Sequence, residues 1–266
     1  MKRFWKKALA LTMALSMALS LCVMSAGAEE NSASVGTQAE LLAALNNSEI
    51  SEITLSNDII FTDTWTPVAI GAGRTLTIDG NHHTISGMVV TEGNLKPSGS
   101  GVPGDGSSCD YNAGFISSNN GTLTISNLRF SGAVVDINPV TVTSTSTGSS
   151  ILAVVCANNT GALVYHDVDV DSCVVRGYSK VGLLHGFTQG SGSFTANHCA
   201  ITNSSVVLEA DGTDGEAALS GIIIGYDGKS LAKTNGIRLE NNSITISDSV
   251  KKDGWVNDAY TTEDGT

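Results

Sequence analysis

The stretch whose residues most suggest chemistry is HDVDVDSC, residues 166–173, in which Asp167, Asp169 and Asp171 alternate with valines. In an extended strand successive side chains point to opposite faces, so we expect the valines to face a core and the aspartates to face outward. At a rise of about 3.3 Å per residue, successive aspartates would lie about 6.6 Å apart. That spacing suits Ca²⁺ shared with a neighbouring strand or an acid/base pair. A solvated outer face is the favoured interpretation, because outward strand residues are normally polar.

A second suggestive stretch is LTIDGNHHTISG, residues 76–87, which places His82 and His83 beside Asp79. Such residues could form a metal site or an acid/base pair. If both histidines are extended, they point to opposite faces and cannot readily share one metal. We therefore interpret the segment as two strands joined by a turn at residues 79–81.

Other candidate binding residues carry weaker signals. Asp211, Asp214 and Glu216 lie in an acidic loop that could bind Ca²⁺, but they match no complete calcium-loop pattern, so a solvated loop is favoured. His185 is expected on an outer face with no specific role. Four aromatic residues could stack on sugar rings if they are exposed; they are Trp65, Tyr111, Tyr226 and Trp255. Aromatic residues make up only 5% of the chain, which argues against a wide sugar platform.

The first 28 residues have the composition of a secretory signal peptide. A basic head is followed by an apolar run to about Met24 and by the small-residue cleavage site Ala26-Gly27-Ala28. Lipidation of Cys22 is disfavoured, because Leu21 stands where a small residue should precede a lipidated cysteine. No later apolar run is long enough to cross a membrane. The mature chain is therefore expected to be secreted, either extracellular or on the cell surface, without membrane insertion.

Charge and cysteine content narrow the classes of partner. Four of the 14 basic residues and none of the 26 acidic ones lie in the first 28 residues, so the remainder carries a net charge of −16. Such a chain should repel nucleic acid and anionic membranes. Four cysteines remain, and both disulfides and buried free thiols stay open for them; they are Cys109, Cys156, Cys173 and Cys199. None has CxxC spacing, which argues against zinc. No cofactor is expected, and Ca²⁺ is the one weak candidate.

A repeat runs through the part of the chain that reads as short strands. Four segments align: LTISNLRFSGAVV from Leu123, LVYHDVDVDSCVV from Leu163, FTANHCAITNSSV from Phe194 and IRLENNSITISDS from Ile237. In each, the alternation of apolar residues slips by one position at the same place. The residues at the slip are Ser126-Asn127, His166-Asp167, Asn197-His198 and Glu240-Asn241. Because Asn, Asp and His tolerate the left-handed conformation, each segment is predicted to be strand, two-residue corner and strand.

A second motif precedes each segment and completes the repeat. It places Gly114, Ala153, Gly182 and Gly221 at equivalent positions. The starts of the four segments differ by 40, 31 and 43 residues. Repeats of this length indicate a solenoid, in which each coil buries its apolar face only against its neighbours. Three Gly-, Ser-, Thr- or acid-rich insertions are expected to be loops projecting from the coils; they are residues 93–112, 136–150 and 209–218.

These repeats resemble the right-handed parallel β-helix of the pectin lyase-like superfamily. VGLLHG from Val181 and SGIIIG from Ser220 are similar to the GLUG repeat of bacterial surface proteins, and the resemblance covers roughly residues 35–250. It implies an all-β right-handed parallel β-helix whose open end is covered by an N-terminal helix. Residues 37–47 fit that helix: they begin with a T-x-x-E capping box and carry Leu41, Leu42 and Leu45 on one side. The fold itself hosts lyases, hydrolases, adhesins and inert stalks.

The resemblance implies which residues a catalytic member of the superfamily would need. Calcium-dependent lyases of this superfamily use clustered acidic ligands with an arginine as base, and Arg129 and Asp169 are the weak candidate pair, since they occupy one column on successive coils. The related hydrolases use paired aspartates with Gly-His-Gly and Arg-Ile-Lys motifs, which this sequence lacks. We therefore expect a non-catalytic extracellular or cell-surface module for adhesion or glycan contact. A polysaccharide lyase or glycoside hydrolase, and a purely structural stalk, remain the alternatives.

The expected organisation is a signal peptide at residues 1–28 and one β-helix domain at residues 29–250. Residues 251–266 are expected to be a polar tail, as in a fragment of a longer protein. The expected partner is an extracellular glycan or another component of a host or cell surface.

Overall fold

The computed structural model describes residues 31–92, 95, 111–137, 150–210, 219–228 and 232–247. The proposed signal peptide, the C-terminal tail, Cys109, Trp255 and the acidic loop with Asp211, Asp214 and Glu216 lie outside the described residues, as do most of the three insertions.

The N-terminal part contains one helix and the first short strands. These elements are β1 (Ser32–Val35), α1 (Gln38–Asn46), β2 (Glu52–Leu55), β3 (Ile59–Ile60), β4 (Val68–Ile70), β5 (Thr75–Asp79), β6 (Thr84–Ser86), β7 (Val89–Thr91), β8 (Asn112–Ala113) and β9 (Ile116–Asn119). Each strand is short because a turn or corner follows it after a few residues.

The next coils repeat the same order of strands. The first two contain β10 (Thr122–Ser131), β11 (Val134–Asp136), β12 (Ile151–Leu152), β13 (Cys156–Asn159), β14 (Ala162–Asp171), β15 (Val174–Tyr178), β16 (Lys180–Gly182) and β17 (His185–Thr188). The last contain β18 (Ser193–Asn197), β19 (Ala200–Thr202), β20 (Ser205–Ala210), β21 (Leu219–Gly221), β22 (Ile224–Asp227), β23 (Ala232–Asn235), β24 (Arg238–Glu240) and β25 (Ser243–Ile246).

The strands form four parallel sheets that run along the solenoid. The largest has eleven strands and follows the path β1-β2-β5-β10-β14-β18-β23, with β3, β6, β19 and β24 continuing its strands beyond the corner. The others are β25-β20-β15-β11-β7, β21-β16-β12-β8 and β22-β17-β13-β9-β4. Equivalent strands of successive coils pair in register, as Leu123 with Leu163 and Leu163 with Phe194 show. The all-β parallel β-helix expected from the repeats is therefore confirmed.

The core fills the interior of the coils with stacked apolar side chains. Leu123, Leu163 and Phe194 are each fully buried, and so are Ile125, Tyr165 and Ala196 in the next inward column. Every strand hydrogen-bonds only to the coils on either side, so the buried columns run along the solenoid axis. This arrangement leaves the outward columns of each sheet free to carry polar side chains.

The predicted corners are left-handed. Asn127, Asp167 and His198 have φ angles of 51°, 53° and 56°. In the first coil the corner includes Asn81 and His82, whose φ angles are 49° and 64°. His82 is therefore not extended, and the turn continues one residue beyond the predicted residues 79–81.

The fourth predicted segment was aligned one strand too late. In the structure Phe194 pairs with Ala232, and Ile201 pairs with Leu239, so the coil begins at β23 rather than at Ile237. Asn241 does have a positive φ of 55°, but it lies at the second corner, together with Ser172 and Asn203. The error arose because β23 carries no large apolar side chain, so hydrophobic periodicity pointed to the next strand.

The helix covers the N-terminal end of the core, as expected. Leu41 and Leu45 are fully buried, whereas Leu42 is half-buried. Thr37 accepts a hydrogen bond from the Glu40 backbone N–H at 3.2 Å, and the Glu40 carboxylate accepts one from the Gly36 N–H at 2.9 Å. These contacts satisfy N–H groups that a helix start leaves without partners.

The end of the helix is held by an arginine. The Arg74 guanidinium donates to the backbone carbonyls of Leu45 and Asn47, the latter at 2.9 Å. A cation at this position also opposes the negative end of the helix dipole. Partial burial lowers the pKa of Arg74, but an arginine remains charged at neutral pH.

Candidate functional site

The candidate lyase pair shares a column but does not form an ion pair. Arg129 and Asp169 are direct partners in the register of β10 and β14. The Arg129 guanidinium instead donates to the Asp171 carboxylate at 2.9 Å. The Asp169 carboxylate accepts the Ala200 backbone N–H at 3.1 Å, on the next coil. The predicted cross-coil ion pair therefore exists with a different aspartate.

Asp171 is held as an anion by four side-chain donors. Its carboxylate accepts hydrogen bonds from Thr202 at 2.6 Å, Asn203 at 3.0 Å, Arg129 at 2.9 Å and Ser172 at 3.1 Å. These hydrogen bonds, led by the one from Thr202, hold the pKa of Asp171 well below its usual range. A carboxylate in this state connects its own coil to the coils on both sides and does not exchange a proton near neutral pH.

The three aspartates of residues 166–173 do not converge. Val168 and Val170 are fully buried, so the predicted inward valines are confirmed, while Asp167 lies at the corner with its side chain exposed. Among the described residues, no group of three or more His, Cys, Asp or Glu side chains is arranged to hold a metal ion. The calcium hypothesis for residues 211–216 falls outside that part of the chain.

A groove crosses the corner on the outer face of the eleven-stranded sheet. It has a volume of about 480 Å³, and its lining is His82, Asp167, Asp169, His198, Cys199, Ala200, Gly236 and Arg238. Asp167, His198 and Gly236 follow one another at the corner of three consecutive coils, since His166 pairs with Asn197 and Asn197 with Asn235.

The groove wall beyond the corner is a second column. Asp169, Ala200 and Arg238 are register partners on β14, β19 and β24. His82 closes the opposite end, where its backbone N–H donates to the Asn127 carbonyl at 2.9 Å. The groove therefore brings together side chains that are more than 150 residues apart in the sequence.

Several polar side chains of the groove have no partner among the residues that the structure describes. Within the described residues, no hydrogen bond or ion pair engages the side chains of His82, Asp167 or His198. A Cβ atom on Gly236 would lie 2.8 Å from the His198 Nδ1, so the glycine leaves space for the imidazole. These groups are available to donate or accept hydrogen bonds with a bound molecule.

The two adjacent histidines have separate environments. The His83 Nδ1 lies 3.3 Å from the Asp58 carboxylate, which also accepts the Thr84 backbone N–H at 2.9 Å. His82 lies at the corner and lines the groove. They share no ligand position, so the segment is a corner, as interpreted, with one histidine exposed beside a concave surface.

The expectation for His185 is wrong. Its imidazole is fully buried, with Nδ1 2.8 Å from the Cys156 carbonyl and Nε2 2.9 Å from the Thr188 hydroxyl. The carbonyl can only accept, so Nδ1 carries the proton and Nε2 accepts from Thr188. Burial lowers the pKa of His185 to about 4.

The described aromatic candidates divide between core and surface. Trp65 is fully buried, with its Nε1 donating to the Phe115 carbonyl at 2.9 Å, and Tyr111 is buried as well. Tyr226 is exposed and stacks on Phe187, with 5.1 Å between ring centroids. Trp65 and Tyr111 are therefore excluded as sugar-stacking residues by burial.

The cysteines in the described residues are buried free thiols. Cys156, Cys173 and Cys199 form no disulfide. Burial raises the pKa of Cys173 and of Cys199 to about 11, and that of Cys156 further. Of the two possibilities left open by the sequence, free thiols are the one the structure supports for these three residues.

Residues 32–174, more than half of the chain, match the family described as "putative pectate lyase-like adhesive domain". The chain belongs to this family. No curated protein matches this chain. No helix within the described part of this adhesive domain is long and apolar enough to span a membrane.

Two solved structures resemble this pectate lyase-like adhesive domain. One is described as a "putative immunoglobulin A1 protease" from Bacteroides ovatus, with 14% identity over 80% of this chain and 76% of that chain and a TM-score of 0.39. The other is the SRRP of L. reuteri 53608, with 13% identity over 81% of this chain and 99% of that chain and a TM-score of 0.22.

Sequence reasoning missed most of the groove of this adhesive domain. His198 was identified as a corner residue, but not as a groove residue, and the late alignment of the last segment hid Gly236 and Arg238. Correct placement of β23 would have put Asn235-Gly236 beneath Asn197-His198. The signal available for that placement was the Asn residue that precedes the corner in both coils.

Proposed function

We propose that this chain is an extracellular adhesive module that binds glycans in the outer-face groove and does not cleave them. The observation that carries the proposal is the groove itself, in which Asp167, His82 and His198 present polar groups that no other described side chain engages. Membership of the pectate lyase-like adhesive domain family supports an adhesive role at a cell surface.

The groove chemistry suits sugar hydroxyl groups. The carboxylate of Asp167 can accept hydrogen bonds, and the imidazole of His198 offers two ring nitrogens for hydrogen bonding. A glycan hydroxyl also donates and accepts, so it can satisfy both types of group. The groove wall is held by regular strands, because Asp169 on β14 and Arg238 on β24 both lie on strands that pair with β19.

The same geometry disfavours bond cleavage. Acid/base catalysis requires two groups in one cleft whose pKa values are pushed apart. Asp171 is locked as an anion between Thr202 and Arg129 and does not line the groove. Arg129 is committed to that carboxylate, which removes it as a base next to Asp169.

The test is a glycan-array screen of residues 29–266 with two matched arginine variants. Arg238→Gln removes a groove cation that is paired with Glu240 at 3.0 Å. Arg176→Gln removes a similarly exposed arginine that is paired with Glu209 at 3.4 Å on the sheet containing β15 and β20. We expect Arg238→Gln to weaken glycan binding by about tenfold and Arg176→Gln to leave it unchanged, a difference of about 1.4 kcal/mol.

Two outcomes would overturn the proposal. Binding to no glycan would favour the structural stalk. Release of unsaturated products or reducing ends from a bound polysaccharide, abolished by Asp169→Asn or Arg129→Ala, would show that the module is an enzyme. Both measurements use the same purified protein, with and without Ca²⁺.

A further inference from the structure

We infer that the glycan recognised by the groove is uncharged, and that acidic polysaccharides such as polyuronates are disfavoured. This inference rests on the proposed function and names its ligand class. Its basis is the charged side chains that line the groove and the ion pairs formed by the nearby arginines.

The fixed charges of the groove are two carboxylates and one guanidinium. Asp167 and Asp169 lie two residues apart, on the corner and on the wall. The single arginine, Arg238, forms an ion pair with Glu240 at 3.0 Å, so an acidic ligand would compete with that carboxylate for it. The three carboxylates of Asp167, Asp169 and Glu240 outnumber the one guanidinium, so acidic side chains predominate in the groove and this pair.

Two further cations on this outer face, Arg129 and Lys233, do not line the groove among the described residues. Arg129 donates to Asp171 at 2.9 Å. Lys233 lies on β23 in the column of Thr195, on the other side of the corner, and it does not line the groove. Recognition of a sugar carboxylate normally uses a free arginine that binds both oxygens. No arginine among the described groove residues is free in that sense.

An uncharged sugar meets none of these obstacles. A carboxylate accepts hydrogen bonds from sugar hydroxyl groups, and Asp167 has no competing partner in the described residues. The bare backbone at Gly236 makes room for the His198 imidazole, which therefore lies in the groove where its ring nitrogens can meet a sugar hydroxyl group. A uronate placed in the groove would lie close to two like charges, and the net charge of −16 on residues 29–266 adds long-range repulsion.

The experiment compares glycans that share a backbone but differ in charge. Suitable pairs are polygalacturonate and its methyl ester, a β-glucan and its C6-oxidised form, and xylan and glucuronoxylan. Dissociation constants are measured by calorimetry for residues 29–266 at low and high salt. For the backbone that binds, we expect the uncharged member to bind at least about tenfold more tightly at low salt, with the difference shrinking as salt screens the carboxylates.

A pair of charge variants separates the groove from the general charge of the protein. The double variant Asp167→Asn, Asp169→Asn should reduce the preference for the uncharged member severalfold. Asp136→Asn removes a carboxylate on β11, on a different sheet, and should leave the preference unchanged.

The outcomes distinguish this inference from the function on which it rests. Equal or tighter binding of the acidic member would overturn the inference and leave glycan adhesion intact. An unchanged preference in the double variant would also overturn it, since the groove carboxylates would then play no part. Failure of every member to bind would overturn the proposed function and the inference with it.

Discussion

The guanidinium of Arg129 lies 2.9 Å from the carboxylate of Asp171, two residues beyond its strand partner Asp169. The interaction is diagonal across two coils, and it pairs Arg129 with a carboxylate other than that of Asp169, its partner in the column. The same carboxylate also receives hydrogen bonds from Thr202 and Asn203 on the following coil. Asp171 therefore connects three coils at the second corner.

Asp171 should make the fold sensitive to acid. Its pKa is lower in the folded chain than the value of about 3.9 expected after unfolding, so its stabilisation is present above that value and is lost as the pH falls below it. Asp171→Asn should lower stability at pH 7 by on the order of 2 kcal/mol, the typical contribution of a hydrogen bond to a charged group. Chemical denaturation at pH 7 and pH 3 measures both effects.

Arg129→Gln is the matched comparison for Asp171→Asn. Half of the Arg129 side chain is exposed, so loss of this ion pair should cost less than about 1 kcal/mol. If Arg129→Gln destabilises the fold as much as Asp171→Asn does, the hydrogen bonds from Thr202 and Asn203 are not the main source of the effect.

Asn127→Val should destabilise the first corner. Asn127 has a φ of 51°, where a β-branched residue is strained, and its Nδ2 donates to the Asp79 carboxylate at 3.0 Å. We expect a loss of about 1–2 kcal/mol from the backbone conformation. Asn241→Val at the second corner, where φ is 55°, should cost a similar amount.

Asn127→Gly is the control for that strain, because glycine adopts a positive φ without penalty. It should lose only the side-chain hydrogen bond. Denaturation midpoints that fall equally for the Val and Gly variants would show that backbone conformation is not the cause.

The N-terminal helix should be a cap whose removal exposes the core. Leu41 and Leu45 are fully buried, so Leu41→Ala or Leu45→Ala should each cost about 3 kcal/mol and increase aggregation. Leu42→Ala, at a half-buried position on the same helix, should cost clearly less. Thermal unfolding and light scattering test the order of the three variants, and equal behaviour of all three would contradict the capping role.

His185 should add a pH dependence at milder acidity than Asp171. Its pKa is about 4 in the folded chain and about 6.5 when unfolded, so the unfolded state takes up a proton first as the pH falls. Stability from the neutral buried imidazole is therefore present above about pH 6.5 and declines between that pH and about 4. In His185→Gln this slope should disappear, even if the variant is less stable at pH 7.5.

His83→Gln serves as the control for His185. It removes a partly exposed histidine from the same chain, next to Asp58. The decline between pH 6.5 and 4 should persist in this variant. A decline that persists in His185→Gln as well would assign it to other groups.

Local sequence determined the coil and its corners. The slip in apolar alternation at Asn127, Asp167 and His198 reports a backbone event within one or two residues, and the structure has a left-handed residue at each of these positions. The capping helix could also be predicted from the sequence. Its start depends on Thr37 and Glu40, three residues apart, and its buried side on leucines spaced by about one turn. Such features depend on near neighbours along the chain.

Only the tertiary structure decided which residues of successive coils are register partners. It also decided whether the side chains of the shortest strands face the core or the solvent. His185 is a core residue whose imidazole contacts the Cys156 carbonyl on the neighbouring coil and the Thr188 hydroxyl, a pairing that only the stacking of coils provides. Arg129 pairs with Asp171 rather than with Asp169, and donors from the next coil, Thr202 and Asn203, hold the Asp171 carboxylate in place. The groove from His82 to Arg238 likewise joins several coils. Its residues are distant in sequence and adjacent only after stacking, so the register of parallel strands created the site.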